Sequence, residues 1–367
     1  MKEYITLDAH KHYSLAARER VDGGAKRHDR IEHRPGNIRA YLEDIEPGTT
    51  VAVEATGNWY WITDEIEAAG GKPALVHPRK AKLMLGSINK TDKLDADGLN
   101  RLQRTGTLPV VWIAPAAVRD LRELSRTRMF LSRQRTRVKN RIQANLAKYG
   151  LTVTGYTDPM GKAALDAIGK RLAKLPPQTS IATGELLAEL DHLTGLVTAQ
   201  EKRIAKLIRE TPQMRLLQTI PGIGKILSVV IALEVGEVSR FPDGAHLAAY
   251  AGTTPRVHSS GGKTRMGRLR CDVNRTLKWA FVEAANSIVI QITRNAARHH
   301  PAELYRRISA RKGHQKAVGA VARHLAEAVW HVLDRGEPYH DPRGNPPGLS
   351  PRAAQARTQH KPSRPGD

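Results

Sequence analysis

The chain has 367 residues, enough for two or three domains, and a net charge of +23. Its one cysteine, Cys271, excludes a disulfide framework and a zinc ribbon, the fifteen histidines lack metal-ligand spacing, and no apolar run approaches the ~20 residues of a membrane span. So large a basic excess, carried by an Arg-rich middle as well as by the tail, argues for a polyanionic partner, nucleic acid above all. The first residues enter a strand at once, which leaves no room for a signal peptide and points to the cytoplasm.

Residues 4 to about 110 alternate strand-like and helix-like segments. Tyr4 to Asp8 reads as a short strand, and His12 to Glu19 as its hairpin partner. Asn37 to Ile45 reads as helix, and Thr49 to Glu54 as a β-branched strand ending at the turn Ala55-Thr56-Gly57. Trp59 to Ala69 reads as a helix stopped by Gly70-Gly71, and Pro73 to Val76 as another strand. Strands separated by helices predict an α/β layer with a mostly parallel or mixed sheet.

From Pro115 to Tyr149 the period becomes that of one long helix. Leu121, Leu124, Leu131, Val138, Ile142 and Leu146 form an apolar stripe. Arg119, Arg122, Arg126, Arg133, Arg137 and Arg141 are expected on its polar, nucleic-acid-binding surface. Gly184 to Glu210 reads as a second long amphipathic helix, fit for a coiled-coil-like hairpin or a dimer contact. The Pro-containing stretch 150–178 reads as a connector. Residues 211–335 read as a mostly helical domain, and the Pro-, Gly- and Arg-rich residues 336–367 as a disordered tail. The expected domains are therefore 1–112, 113–210 and 211–335, followed by that tail.

Four carboxylates carry the first chemical signal. Asp8 and Glu54 end neighbouring strands, where side chains converge in a cleft. Asp92 and Asp95 lie three apart, on one face of a helix. Gathered together, the four acids would repel and call for hard cations such as Mg²⁺ or Mn²⁺. Thr91-Asp92-Lys93-Leu94-Asp95 also reads as an ordinary helix start, with acids favoured by capping and by the dipole.

The second signal is Ser259-Ser260-Gly261-Gly262-Lys263, expected in a polar loop ahead of a helix from Asn274 to Ile292. A serine there would suit a nucleophile, with Arg256, Lys263, Arg265 and Arg268 holding a phosphate. A flexible loop that merely grips nucleic acid fits the same composition. Pro221-Gly222-Ile223-Gly224-Lys225 is similar to a helix-hairpin-helix turn, whose backbone N–H groups meet a phosphate; an ordinary glycine turn between core helices is the alternative.

Taken together, these segments resemble the DEDD-type transposases of the insertion sequence 110 family, whose relatives include the Piv DNA invertase. The resemblance rests on Tyr4 to Asp8, Val53-Glu54-Ala55-Thr56-Gly57, Lys90 to Ala96, Ile220 to Gly224, Phe241 to Gly252, Ser260-Gly261 and Val318 to Leu325. It implies a RuvC-like, RNase-H-like N-terminal domain with Asp8, Glu54, Asp92 and Asp95 as the acidic tetrad. It implies Ser260 as nucleophile, with Ser259 as the rival. It further implies strand exchange at element ends and targets in DNA, guidance by a structured non-coding bridge RNA, and assembly as dimers, with a tetramer in the synaptic complex. A water-activating nuclease of the Holliday-junction-resolvase type and a binding-only protein remain the alternatives. Where the family carries a basic stretch with Lys-Arg-Gly after the serine, this chain departs from it and reads Arg268-Leu269-Arg270-Cys271-Asp272-Val273.

Overall fold

The structure, a computed structural model, describes residues 3–86, 91–270, 273–294 and 298–342. Lys90 of the acidic motif, Cys271 and Asp272 of the departing stretch, and the tail from residue 343 lie outside the described residues. The chain divides into two compact units, residues 1–114 and 115–367.

The first unit holds strands β1 (Glu3–Ala9), β2 (Tyr13–Arg20) and β3 (Arg27–Glu32), helix α1 (Asn37–Tyr41), strand β4 (Thr50–Glu54), helix α2 (Trp59–Ala68), strand β5 (Lys72–Val76) and helices α3 (Pro78–Leu85) and α4 (Asp92–Arg104). The sheet is mixed, in the order β3-β2-β1-β4-β5. The two hairpin pairs are antiparallel, whereas β4 runs parallel to both β1 and β5. The third strand, with two Arg, one His and two acids among its six residues, was not legible as a strand. It completes the antiparallel side and hides only Ile31.

Side-chain alternation sorts the sheet into two faces. Ile5, Leu7, Val51 and Val53 join Ile38, Leu42, Ile62 and Ile66 in one core. On the other face Ala52 and Val76 meet Ala81, Leu99 and Leu102 of α3 and α4. Thr6 and Asp8 alternate with Ile5 and Leu7, and Glu54 alternates with Val53, so all three fall on the α4 face. Three hydrogen bonds fix α4 there. The Thr6 hydroxyl donates to the Ala96 carbonyl (3.1 Å), the Asn100 amide to the Tyr4 carbonyl (3.2 Å), and the Gln103 amide to the Thr50 carbonyl (2.8 Å).

The second unit opens with α5 (Ala116–Ala147), about 48 Å long at 1.5 Å per residue. After α6 (Lys162–Arg171) comes α7 (Pro177–Leu207), which packs antiparallel to α5. Arg128 bonds Glu201 at one end of the pair and Asn145 bonds Thr183 towards the other. The stretch expected as a plain connector instead supplies α6 and a small core, in which Met160, Ile168 and Leu175 cover Ile142, Leu146 and Leu190.

Helices α8 (Pro212–Leu217), α9 (Lys225–Val235) and α10 (Gly244–Tyr250) lead into a two-stranded hairpin, β6 (Pro255–Ser260) and β7 (Lys263–Leu269). Helices α11 (Arg275–Thr293), α12 (His300–Lys312) and α13 (His314–Arg335) follow. Leu217, Ile220, Ile231, Phe281, Leu325 and Val329 centre their shared core. Between α8 and α9, Gly222 has φ +83° and its α-carbon faces the Ala284 carbonyl of α11, so neither the conformation nor the space admits a side chain. The first residues of the expected tail are part of this fold: Tyr339 N–H donates to Thr219 Oγ1 (2.8 Å), and Asp341 accepts from His300 N–H (2.6 Å).

Three arginines of α5 correct the expectation of a uniformly basic, solvent-facing helix. Arg119 and Arg122 are buried. Arg122 donates to the Leu233 carbonyl through Nε and Nη2 (2.9 and 2.8 Å). Arg126 donates through Nε to Glu234 Oε1 (2.9 Å). Glu234 is fully buried in the largely apolar α9, and its Oε2 also accepts from Asn274 (2.8 Å). Asn274 in turn caps α11, the helix that follows the hairpin. A charge in such a place is stable only with its partners. Replacing Glu234 with Ala leaves Arg122 buried beside an empty position; the urea transition of the C-terminal unit is expected to lose roughly 3–5 kcal/mol. An unchanged midpoint would show that water replaces the carboxylate.

Candidate active site

Asp8 is nearly the last residue of β1 and is 4% exposed. Parallel pairing of β1 with β4 sets Leu7 beside Val53, and one step further along both strands stand Asp8 and Glu54. The N-terminus of α4 supplies the other two acids. Thr91 caps it by accepting the Leu94 N–H (3.2 Å), and Asp92 and Asp95 lie in the first turn, where the helix dipole favours negative charge. The same residues thus cap the helix and carry two of the four acids.

Two groups not foreseen from the sequence complete the cluster. His10, in the turn between β1 and β2, places Nε2 at 3.2 Å from Asp8 Oδ2 and 3.3 Å from Asp92 Oδ2. Tyr13, at the start of β2, donates its hydroxyl to Asp92 Oδ2 (2.6 Å) and stacks on the His10 ring at 4.6 Å. Asp8, His10 and Asp92 offer donor atoms that all lie within 4.8 Å of one another. The only signal in the sequence was the two-residue step from Asp8 to His10, which reads as a turn.

Burial pushes the Asp8 carboxyl up from its ordinary range; His10 and a hydrogen bond with Glu54 oppose this, and the charges of Asp95 and Asp92 add to it. The Asp8 Oδ2 and His10 Nε2 atoms are buried and make no hydrogen bond, despite their short separation. Unsatisfied oxygen and nitrogen donors among like charges are the surroundings a divalent cation relieves. Asp8, Asp92, Glu54 and Asp95 fit such an ion in donor chemistry.

The serine segment is a hairpin rather than an irregular loop. Gly261 and Gly262 have φ +55° and +74°, the left-handed pair of a two-residue turn that suits strand twist. The register pairs Ser260 with Lys263, Ser259 with Thr264, His258 with Arg265 and Val257 with Met266. Alternation then gives the hairpin two unlike faces. Ser260 shares one with His258, Lys263 and Arg265; Ser259 shares the other with Val257, Thr264 and Met266. The Ser259 hydroxyl lies 3.3 Å from that of Thr264. From Arg256 to Arg268 the hairpin is exposed.

Of the remaining expected nucleic-acid contacts, Arg133, Arg137 and Arg141 are exposed on α5, whereas Arg119 and Arg122 are turned inward. Arg133 and Arg137 line a cavity of about 550 Å³ with Arg128 and Trp279. Gly224 and Lys225 are exposed at the N-terminus of α9, but Gly222 is engaged with α11. Among the described residues, no helix is long and apolar enough to cross a membrane.

Deprotonating Asp8 is harder in the folded chain than in the unfolded one. Stability linked to this group is therefore fully present below the ordinary carboxyl range and is lost as pH rises through the elevated value. In chelator, Asp8→Asn is expected to remove this loss and to raise the melting temperature at neutral pH. A divalent cation at a hundred times its Kd is expected to stabilise the wild type by about 2.7 kcal/mol and the variant far less. Equal melting of the two proteins with and without cation would count against the assignment.

Residues 5–150 match the DEDD transposase model of the IS110 group, and residues 214–301 match the transposase model of the IS116/IS110/IS902 family. A probable family 20 transposase of Pseudomonas aeruginosa is 26% identical over 85% of this chain and 93% of its own length. The transposase for insertion sequence element IS1111A of Coxiella burnetii is 23% identical over 79% of each chain. A pilin gene-inverting protein of Moraxella bovis is 40% identical over a shorter stretch, 19% of this chain and 23% of its own. With a mixed α/β DEDD domain followed by a helical region that carries the second family match, the chain belongs to the IS110/IS116/IS902 family of transposases.

Proposed function

We propose that the chain recombines the DNA of an insertion sequence by cutting and rejoining strands through a phosphoserine. The observation that carries this is the acidic cluster of Asp8, Glu54, Asp92 and Asp95, on a DEDD transposase domain, in a chain whose Ser260 stands on the cationic face of an exposed hairpin. A divalent cation, Mg²⁺ or Mn²⁺, held by the four acids would supply charge stabilisation at the scissile phosphate. Lys263 and Arg265 beside Ser260 would hold the phosphate and favour the charge that develops on it.

In this reading Ser260 Oγ attacks phosphorus, a serine–phosphate bond forms, and the bond to one DNA oxygen breaks. The serine loses its proton, and the departing DNA end gains one as a free hydroxyl. Phosphodiester energy is kept in the new ester, so a second strand can be joined without a nucleotide cofactor. The faces of the hairpin favour Ser260 over Ser259, whose neighbours are neutral or apolar. The exposed Arg133, Arg137 and Arg141, spread along a long rod, suit a structured RNA guide as well as DNA, and Lys225 at the start of α9 suits a phosphate of either. Paired long helices suit assembly into dimers and a tetrameric synapse.

Ser260→Ala is expected to abolish a denaturation-resistant protein–DNA adduct, whereas Ser259→Ala retains it. A Ser260→Ala protein that still nicks DNA would point instead to activated water. Mixing Asp8→Asn with Ser260→Ala protein tests whether the two groups must come from one copy: restored recombination means that different copies complement each other. Replacing Arg133, Arg137 and Arg141 together with Ala should weaken nucleic-acid binding and flatten its dependence on log salt, by roughly 0.9 per lost DNA phosphate contact or 0.7 for single strands.

A further inference from the structure

We propose that His10 Nε2 is a further donor, beside the acids, to the cation of the acid centre, and that it biases this chain towards transition-metal ions over Mg²⁺. The proposal rests on the metal-binding reading of the four acids and deepens it. Carboxylates alone are indifferent between Mg²⁺ and Mn²⁺ to a first approximation, whereas an imidazole nitrogen favours later first-row ions. The identity of the ion would then depend on a residue outside the tetrad.

The geometry points to coordination rather than to an ion pair. A charged imidazolium held by a carboxylate aligns its N–H along a bond of about 2.7–2.9 Å. His10 Nε2 instead stands almost equidistant from Asp8 Oδ2 and Asp92 Oδ2, at 3.2 and 3.3 Å, and makes no hydrogen bond. Two ligand atoms of one ion with bonds of about 2.0–2.1 Å lie roughly 2.8–3.4 Å apart, the lower end for neighbouring octahedral positions and the upper for tetrahedral ones. The two observed separations fall in that range. The Asp8 carboxylate is 96% buried with its Oδ2 lacking a hydrogen bond, so the cluster is more than a set of surface acids.

The turn that carries His10 is also held in place. Its N–H donates to the Tyr13 carbonyl (2.9 Å), and its carbonyl accepts from the Asn58 amide (2.8 Å). Tyr13 stacks on the ring and bonds Asp92, the second donor. The ring of the ligand and one of its acidic partners are therefore both held by the same tyrosine.

The test is calorimetric titration of the full chain with Mn²⁺, Co²⁺ and Mg²⁺, together with pulsed electron paramagnetic resonance of the Mn²⁺ form. Wild type is expected to bind Mn²⁺ and Co²⁺ about tenfold or more tightly than Mg²⁺, with modulation from a directly bound nitrogen. His10→Ala should lose that modulation and most of the preference while keeping Mg²⁺ affinity within a few-fold. His10→Asn serves if the alanine variant melts early. Parallel changes for all three ions, or no nitrogen coupling in the wild type, would overturn the role of His10 and leave the acid centre standing. Binding that Asp8→Asn does not weaken, or no binding at all, would overturn the centre and the proposal with it.

Discussion

The docking of α4 across the sheet is the constraint on which the acid centre depends. Three polar side chains tie this helix to the strands, Thr6 to Ala96, Asn100 to Tyr4 and Gln103 to Thr50, and Leu99 and Leu102 bury the apolar part of its face. Like charges at its N-terminus and at the ends of β1 and β4 push it away. Each hydrogen bond contributes only about 1 kcal/mol net. Their value lies in register, because a slide of one residue along the helix would turn Asp92 and Asp95 by about 100° away from Asp8. Gly98 faces the Leu85 side chain of α3, which a larger residue there would have to push aside.

A site arranged in this way is built against its own stability. Asp8 is buried among acids, and His10 Nε2 stands among them without a hydrogen bond. Local rules of packing and polar satisfaction fail here while they hold in the surrounding core of Ile5, Leu7, Val51 and Val53. A gathering of like charges around a buried acid is what a functional constraint produces. The second unit shows the contrary case. Glu234 is as deeply buried as Asp8, yet Arg122, Arg126 and Asn274 surround it, and it holds α5, α9 and the start of α11 in fixed relation.

The serine segment shows how a change of local structure alters a chemical argument. As an irregular loop it would leave Ser259 and Ser260 equivalent. As a hairpin with a Gly261–Gly262 turn it separates them onto opposite faces, one bearing Lys263 and Arg265 and the other Val257 and Met266. The same kind of sorting acts on α5. Its arginines look alike in the sequence, but helical rotation against α9 turns Arg119 and Arg122 inward and leaves Arg133, Arg137 and Arg141 outside. A run of basic residues therefore records two jobs, one structural and one available for a polyanion.

Much was legible in the sequence because it is written in local periods and local chemistry. β-branched runs marked β1 and β4, glycine stops ended α2, a threonine cap began α4, and 3.6-residue apolar spacing drew α5 and α7. The family was legible for a similar reason, since its motifs sit at strand ends and helix starts. What tertiary structure alone decided involves partners far apart in the chain. The antiparallel place of β3 depends on pairing with β2 rather than on its own charged residues. The burial of Arg122 depends on a helix more than a hundred residues away. The position of His10 between Asp8 and Asp92 depends on how a hairpin turn meets the end of α4. Residue type and spacing decide which faces a segment offers, but only packing decides which of those faces meet.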